Sequence, residues 1–399
     1  MNIEHMETAM GVFWLALAAF AIGTEAFVIA GLLPEIAINL QISVPATGQL
    51  VTAYALAYAL GSPILAVAFN NFDRRAVLTL ALSCFIAGNL LAVAAPGFAL
   101  LMAARVLMAL GAGLCMPTAI GVAVAVASPE RRGRAVALVT SGITVATVIG
   151  VPLGTMIGHQ FGWRATFVMV AALGAVALAG LPFGLPRGLP SSTATLGERL
   201  AVARHGAVLY ALGTTMLWAI GGFTVFTYLS IPLQKLGFDA SDISLTLLVF
   251  GSAAAIGNML GGTLADRFGT GPTSSLGLAG MAIALILLSV KFKAAAPETA
   301  RYVVLLLVFG WAISGWGFYP AQVTSIIRID PRASTIALSL NASAMYLGFA
   351  IGGAAGGGVL SVLGPSDLGW VGGASVAAAL GLLLVRSRQT RMKPYKIAG

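Results

Sequence analysis

Charge is scarce in this chain. Only 9% of its 399 residues are Asp, Glu, Lys or Arg, and 59% are apolar, whereas a soluble domain carries about a quarter charged residues. A globule so poor in charge would expose too much apolar surface to stay dissolved, and lipid is the solvent that tolerates such a surface. Cysteine is nearly absent. Cys84 and Cys115 lie in apolar runs without metal-type spacing, so free buried thiols are expected, with no metal site. Histidine is almost as rare: His5, His159 and His205 are scattered, no pair has zinc spacing, and no phosphate-binding P-loop occurs. A membrane-embedded enzyme therefore lacks its nucleophile–base or metal cluster, and no cofactor is called for. The net charge is +9, but the basic residues form short clusters between apolar runs rather than one face, which argues against nucleic acid. The first apolar run has an acidic front (Glu4, Glu7) and no small-residue cleavage site, unlike a removable signal peptide.

Long apolar runs take the place of charge, with 49 glycines and 17 prolines among them, both commoner in membrane helices than in soluble ones. A spanning helix needs about 20 mostly apolar residues. On that ruler spans are predicted near 11–33, 47–69, 76–95, 98–127, 135–157, 164–185, 206–229, 242–264, 273–291, 302–324, 335–360 and 369–386. The expected class is an all-α integral membrane protein with twelve transmembrane helices and both termini on one side. One set of loops plus the tail holds 16 of the 22 Lys and Arg residues: Arg74, Arg75, Arg131, Arg132, Arg134, Arg187, Arg199, Arg204, Arg267, Arg328, Arg332, Arg386, Arg388, Arg391, Lys393 and Lys396. The opposite loops hold five, Arg164, Lys235, Lys291, Lys293 and Arg301. The positive-inside rule places the termini in the cytoplasm. The polar stretch 186–205 reads as a cytoplasmic linker between six-helix halves at 1–185 and 206–399, a parallel-repeat plan that transporters use.

Of the 35 charged residues (22 basic, 13 acidic), all but Glu25 and Arg105 fall at or near an interface. A charge at the centre of a span costs on the order of 3 kcal/mol, so residues retained there usually face a cavity or a partner. Glu25 is eight residues before the expected end of span one and Arg105 seven after the start of span four. At 1.5 Å per residue both sit roughly 10–12 Å below the outer surface, level with each other. An opposite charge favours ionised Glu25, while burial favours the neutral form. Such a carboxylate can carry a proton as its cavity changes sides; the alternative is a structural pair, or an arginine bonding carbonyls alone. Glu35, after Pro34, reads as a solvated interface residue or a helix clasp.

Several motifs are specific. Gly262-Thr263-Leu264-Ala265-Asp266-Arg267-Phe268-Gly269 combines glycines that permit a tight turn with Asp266, which can cap a helix, and Arg267, which can pair across a loop. In the first half Asn70, Asp73, Arg74 and Arg75 stand in the matching place. Span four reads Arg105-Val106-Leu107-Met108-Ala109-Leu110-Gly111-Ala112-Gly113, and span five carries Gly142, Gly150, Val151, Pro152, Gly154 and Gly158 before GWRATF at 162–167. With GTEAF at 23–27 and LPEIA at 33–37, the chain resembles the major facilitator superfamily, in its bacterial drug and sugar:proton antiporter branch of efflux permeases. The resemblance implies that Gly262, Asp266, Arg267 and Gly269 form a gate latch, with Arg74 and Arg75 in a first-half counterpart that is weaker or built differently. It also implies that Arg105 takes part in proton transfer, and that Gly150, Pro152 and Gly154 let span five bend; plain small-residue packing is the alternative.

Midplane faces should line a central cavity. The candidates for substrate contact are Thr24, Phe27, Tyr54, Tyr58, Asn89, Thr118, Trp218, Phe226, Trp316, Tyr319, Gln322, Asn341 and Tyr346, polar groups to orient a ligand and aromatic walls to accept it. Each could instead pack or bridge helices. The reading that follows is a monomeric secondary transporter of the bacterial cytoplasmic membrane, exporting small amphiphiles such as drugs or sugars in exchange for protons, with the proton gradient as energy source. Proton symport for uptake on the same fold is the nearest rival, and a membrane sensor or scaffold without flux the next.

Overall fold

The computed structural model describes residues 3–186, 188, 197, 201–202, 204–294, 300–331 and 333–392. Most of the expected linker, with Arg187 and Arg199, and also Arg332, Lys393 and Lys396, lie outside the described residues. Among the described residues there is no strand, and twelve helices are long and apolar enough to cross a membrane. They run Met10–Leu40, Val44–Ala68, Arg74–Val93, Phe98–Val126, Arg132–Phe161, Trp163–Gly184, Gly206–Lys235, Ala240–Phe268, Thr270–Lys293, Arg301–Ile329, Ser334–Val362 and Pro365–Arg386, and are numbered one to twelve. Large apolar side chains such as Phe13, Ile64 and Leu276 are exposed along them, as hydrocarbon as the solvent requires.

The number of spans agrees with the expectation, and several ends do not. Span one was expected to stop before Pro34, yet it continues through that proline to Leu40. Proline lacks an N–H and leaves the carbonyl four residues earlier without its helical donor. Here that carbonyl, Ala30, accepts the hydroxyl of Ser230 in span seven at 3.2 Å. The same device recurs at Pro117 inside span four, where the Ser62 hydroxyl of span two donates to the Gly113 carbonyl at 2.7 Å. Glu25 is thus fifteen residues from each end of span one (Met10 and Leu40). It stays level with Arg105, seven residues from the start of span four, because the two are in contact. Span eight also overruns its expected end at 264, so Gly262–Phe268 are its last turns rather than a loop; the break comes only at Gly269, whose φ is 88°. Of the two free thiols expected to be buried, Cys115 is and Cys84 is only half-buried.

Span five is not one regular helix. It passes through a π-helical turn at Ala146–Gly150, in which the Val151 N–H donates to the Ala146 carbonyl, before resuming at Val151–Phe161. Pro152 follows directly, so Gly150, Pro152 and Gly154 do mark an irregularity, realised as a widened turn. Span seven breaks similarly between Phe226 and Ser230. Pro232 cannot donate to the Tyr228 carbonyl, which instead accepts the Ile231 N–H at 3.0 Å.

Spans one to six pack among themselves, chiefly one on five and six, two on four, and three on four and six. Spans seven to twelve do likewise, with ten against eight and nine, and seven against eleven and twelve. The two sets meet along two seams, span two on eleven and span five on eight. Named contacts across the seams run from the end of the molecule away from the termini, called the far side, to just past mid-depth. A Cβ on Gly251 would run into the Thr147 carbonyl. Tyr228, fully buried at the break in span seven, donates its hydroxyl to the Gly353 carbonyl at 2.9 Å, and its ring occupies the space a Cβ on Gly48 would need. Just past mid-depth toward the termini, Tyr58 of span two stacks on Tyr346 of span eleven, with ring centroids 3.7 Å apart. The far side is closed by backbone-level packing.

Two substitutions test this closure by electron–electron double resonance between spin labels at Ile38 and Leu363, both exposed. Gly48→Ala, which displaces the Tyr228 ring, should raise the population with long label separations several-fold. Tyr228→Phe loses an interhelical hydrogen bond worth about 0.6 kcal/mol on average in membranes, so its effect should be roughly threefold or less. Unchanged distances in Gly48→Ala would remove Tyr228 from the seam's closure.

Candidate functional site

The two charges the sequence left inside the membrane are in contact. Arg105 Nη1 of span four donates to Glu25 Oε1 of span one, and neither side chain has any exposed surface. The Arg105 Nε donates to the Leu50 carbonyl of span two at 3.2 Å. The guanidinium lies 4.4 Å above the centre of the Tyr54 ring, within reach of a cation–π attraction. One arginine therefore ties spans one, two and four together. Its partners remain incompletely satisfied: Arg105 Nη2, Glu25 Oε2 and the Tyr54 hydroxyl are buried without hydrogen-bond partners. A buried pair with free valences on both sides is poised to exchange partners, because a new donor or acceptor would relieve an unsatisfied atom.

Two residues beyond Glu25, Phe27 points the other way. Its ring centroid is 6.0 Å from those of Phe223 and Phe226 and 6.4 Å from those of Trp316 and Phe349. These rings, with Trp218, Phe250, Trp311 and Met281, line a cavity in which no lining residue is charged. The space open to the centre of a water-sized sphere is about 20 Å³, enough for about one water. Aromatic faces are packed tightly around it, Phe223 on Phe349 at 3.6 Å. The Trp218 indole Nε1 is buried without a partner.

The predicted ligand contacts divide into four groups. Phe27, Trp218, Phe226 and Trp316 line the cavity, Tyr319 stacks on Trp218 with centroids 5.8 Å apart, and Tyr58 with Tyr346 closes the seam beside it. Tyr54 belongs to the ion pair. Three candidates are not brought to the cavity, since they bond carbonyls of their own helices: Thr24 to Phe20 at 2.8 Å, Asn89 to Phe85 at 2.8 Å and Thr118 to Leu114 at 2.7 Å. Short polar side chains in helices often satisfy themselves this way. Thr24 also packs where a Cβ on Gly150 would sit. Gln322 and Asn341 bridge helices: Gln322 donates to the Ala211 carbonyl at 2.7 Å and to Thr215 at 3.2 Å, and Thr215 donates to Asn341 at 2.7 Å. Phe223, Phe250, Trp311 and Phe349 were missed. Phe223 and Phe349 each lie one helical turn from a chosen aromatic, Phe226 and Tyr346, and that spacing could have found them.

The two gating motifs differ in how they are held. Arg267 lies 5.8 Å from the ring of its neighbour Phe268, and among the described residues no ion pair holds it or Asp266. Asp266 lies in the last helical turns of span eight. The first-half segment is the better connected one. Asp73 caps span three through the Ala76 N–H at 3.2 Å and accepts the Gly188 N–H at 2.8 Å. Arg75 donates to the Leu185 carbonyl at 3.2 Å, and Arg74 opens the span. Asp73 and Arg75 thus tie the start of span three to the chain at the end of span six.

Removing one partner of a buried ion pair costs roughly 3–5 kcal/mol, because the other charge is left uncompensated. Arg105→Leu should therefore lower the thermal unfolding temperature in detergent markedly, Glu25→Gln less, since an amide oxygen still accepts from the guanidinium. The double variant Glu25→Leu with Arg105→Leu should recover most of the loss. A double variant no more stable than Arg105→Leu would show that the pair is not a coupled unit.

The chain matches the Major Facilitator Superfamily over residues 15–233 and again over 205–397. It is 35% identical over 388 residues to the uncharacterised MFS-type transporter YbcL of Bacillus subtilis, covering 96% of this chain and 97% of that protein. It is 32% identical over 378 residues to a chloramphenicol resistance protein of Streptomyces lividans, covering 92% and 94%. Its fold is similar to the crystal structure of a bacterial homologue of the human lysosomal transporter Spinster, inward-facing and unoccupied, with a TM-score of 0.77, 19% identity, and 98% and 99% of the two chains covered. A twelve-span helical chain with these two full-length relationships in sequence belongs to the major facilitator superfamily.

Proposed function

We propose that this membrane transporter is a proton-coupled exporter of small amphiphilic molecules in a bacterial cytoplasmic membrane. It works as a monomer with both termini cytoplasmic, uses the proton gradient as its energy source, and needs no cofactor. With that orientation the far side is the outside, and the arrangement described is closed to it. The observation that carries the reading is the fully buried contact of Glu25 with Arg105. When the outer seams part, Glu25 takes a proton from outside and its hold on Arg105 weakens. When the inner side opens, Arg105 favours loss of that proton. Substrate occupies the aromatic cavity in the alternate step, so each ligand stabilises a different state of one molecule.

The cavity has no charged lining, which supports neutral or modestly charged amphiphiles over polycations. The 32% identical relative named for chloramphenicol resistance supports export. Uptake by symport would use the same carboxylate, and proton flux distinguishes the two directions. In everted vesicles with an acidified lumen, an antiporter should release lumenal protons when chloramphenicol is added, and a symporter should not. Glu25→Gln should abolish the release and the resistance that the wild type gives a pump-deficient strain. Efflux that survives Glu25→Gln unchanged would remove the carboxylate from the mechanism.

A further inference from the structure

A second pair of ionisable side chains sits at the far end of span one, remote from the cavity. Glu35 lies in the extra turns beyond Pro34. Its Oε1 accepts the backbone N–H of Trp163, first residue of span six, at 2.9 Å, which makes it a helix clasp. Its Oε2 is buried and has no hydrogen-bond partner. His159, in the last turn of span five, turns Nδ1 toward that oxygen across 3.6 Å, too far for a hydrogen bond. The other ring nitrogen, Nε2, is likewise buried without a partner. The two side chains are 17% and 28% exposed, so protons reach them from the far side.

The surrounding charges are committed elsewhere. From span six, Arg164 donates to the Asn39 side chain at 2.9 Å and to the Ala95 carbonyl at 2.8 Å, with its guanidinium over the Trp163 ring at 4.2 Å. From span eight, which packs on the same stretch of span five, Asp242 is held by Arg301 and Asp239 caps the helix. That leaves the imidazole facing Glu35 Oε2. A proton added there converts two unsatisfied groups into an imidazolium–carboxylate pair. A small side-chain rotation then closes the gap to the ~2.7–2.9 Å of a charge-assisted bond.

We propose that Glu35 and His159 form a second proton-binding site, filled from the far side, that clamps the outer segment of span five onto span one. The segment it clamps, Val151–Phe161, begins where the π-helical turn ends and carries one face of the seam with span eight. Thr155 abuts Gly31 of span one, and Leu247 of span eight lies against the same glycine. Holding this segment in place favours the closed seam, so the closed form binds the proton more tightly and acidification on the far side favours closure. The sign agrees with the return step of the exchange cycle proposed above. The proposal takes alternating access from that reading, but its site and its readout are independent of Glu25.

The test uses the full chain in lipid nanodiscs, labelled at Ile38 and Leu363, without substrate or gradient. Glu25→Gln removes that carboxylate's own titration, and Gly48→Ala populates the open form. In this background the long-distance population should fall several-fold between pH 8 and pH 5.5. Glu35→Gln and His159→Gln should each flatten the profile, and His159→Lys, with a fixed charge, should hold the population low at every pH. A flat profile in the starting background, or a pH response that survives His159→Gln, would overturn the proposal. Because Glu25 is absent throughout, failure of the coupling role assigned to it leaves these outcomes unchanged.

Discussion

Arg105 has no water to turn to. A guanidinium keeps its charge at any physiological pH, so its burial in the bundle obliges neighbouring spans to supply acceptors and a counter-charge. Glu25, the Leu50 carbonyl and the face of Tyr54 do so, from spans one and two. The same constraint explains features that look unrelated. Prolines inside spans one and four strip donors from two carbonyls, and the hydroxyls of Ser230 and Ser62 replace them. A polar group in lipid-covered protein must find its partner within the protein, and the helix contacts follow from that need.

The charge site and the cavity occupy opposite faces of one helix. Two residues along an α-helix correspond to about 200° of rotation, so Glu25 faces spans two and four while Phe27 faces spans seven, eight, ten and eleven. Every other lining residue of the cavity comes from the last six spans. A proton taken up on one side of span one and a ligand bound on the other thus act on the same rigid element. That juxtaposition supplies a physical route for exchange coupling without direct contact between proton and substrate.

Closure on the far side relies on absent side chains. Gly251 meets a carbonyl and Gly48 meets the Tyr228 ring, contacts that even a methyl group would prevent. Seams of this kind bring backbones close and gain dispersion contacts and hydrogen bonds across small residues.

Hydrophobic length alone determined the helical membrane class and the count of twelve spans, because a bilayer imposes a fixed length on any helix that crosses it. Depth along the helices likewise singled out Glu25 and Arg105, since a charge in hydrocarbon is costly wherever the chain folds. Helix ends were less legible: whether Pro34 stops span one depends on Ser230, almost two hundred residues away. The tie between spans three and six could not be read from motif spelling, because Asp73 bonds backbone groups of Gly188 and Ala76 that no local pattern reveals. Side-chain direction was decided by the tertiary structure. Thr24, Asn89 and Thr118 bond carbonyls of their own helices, while Phe223, Phe250 and Phe349 turn to Phe27 or its neighbours, because rotation of each helix is set by the partners it packs against.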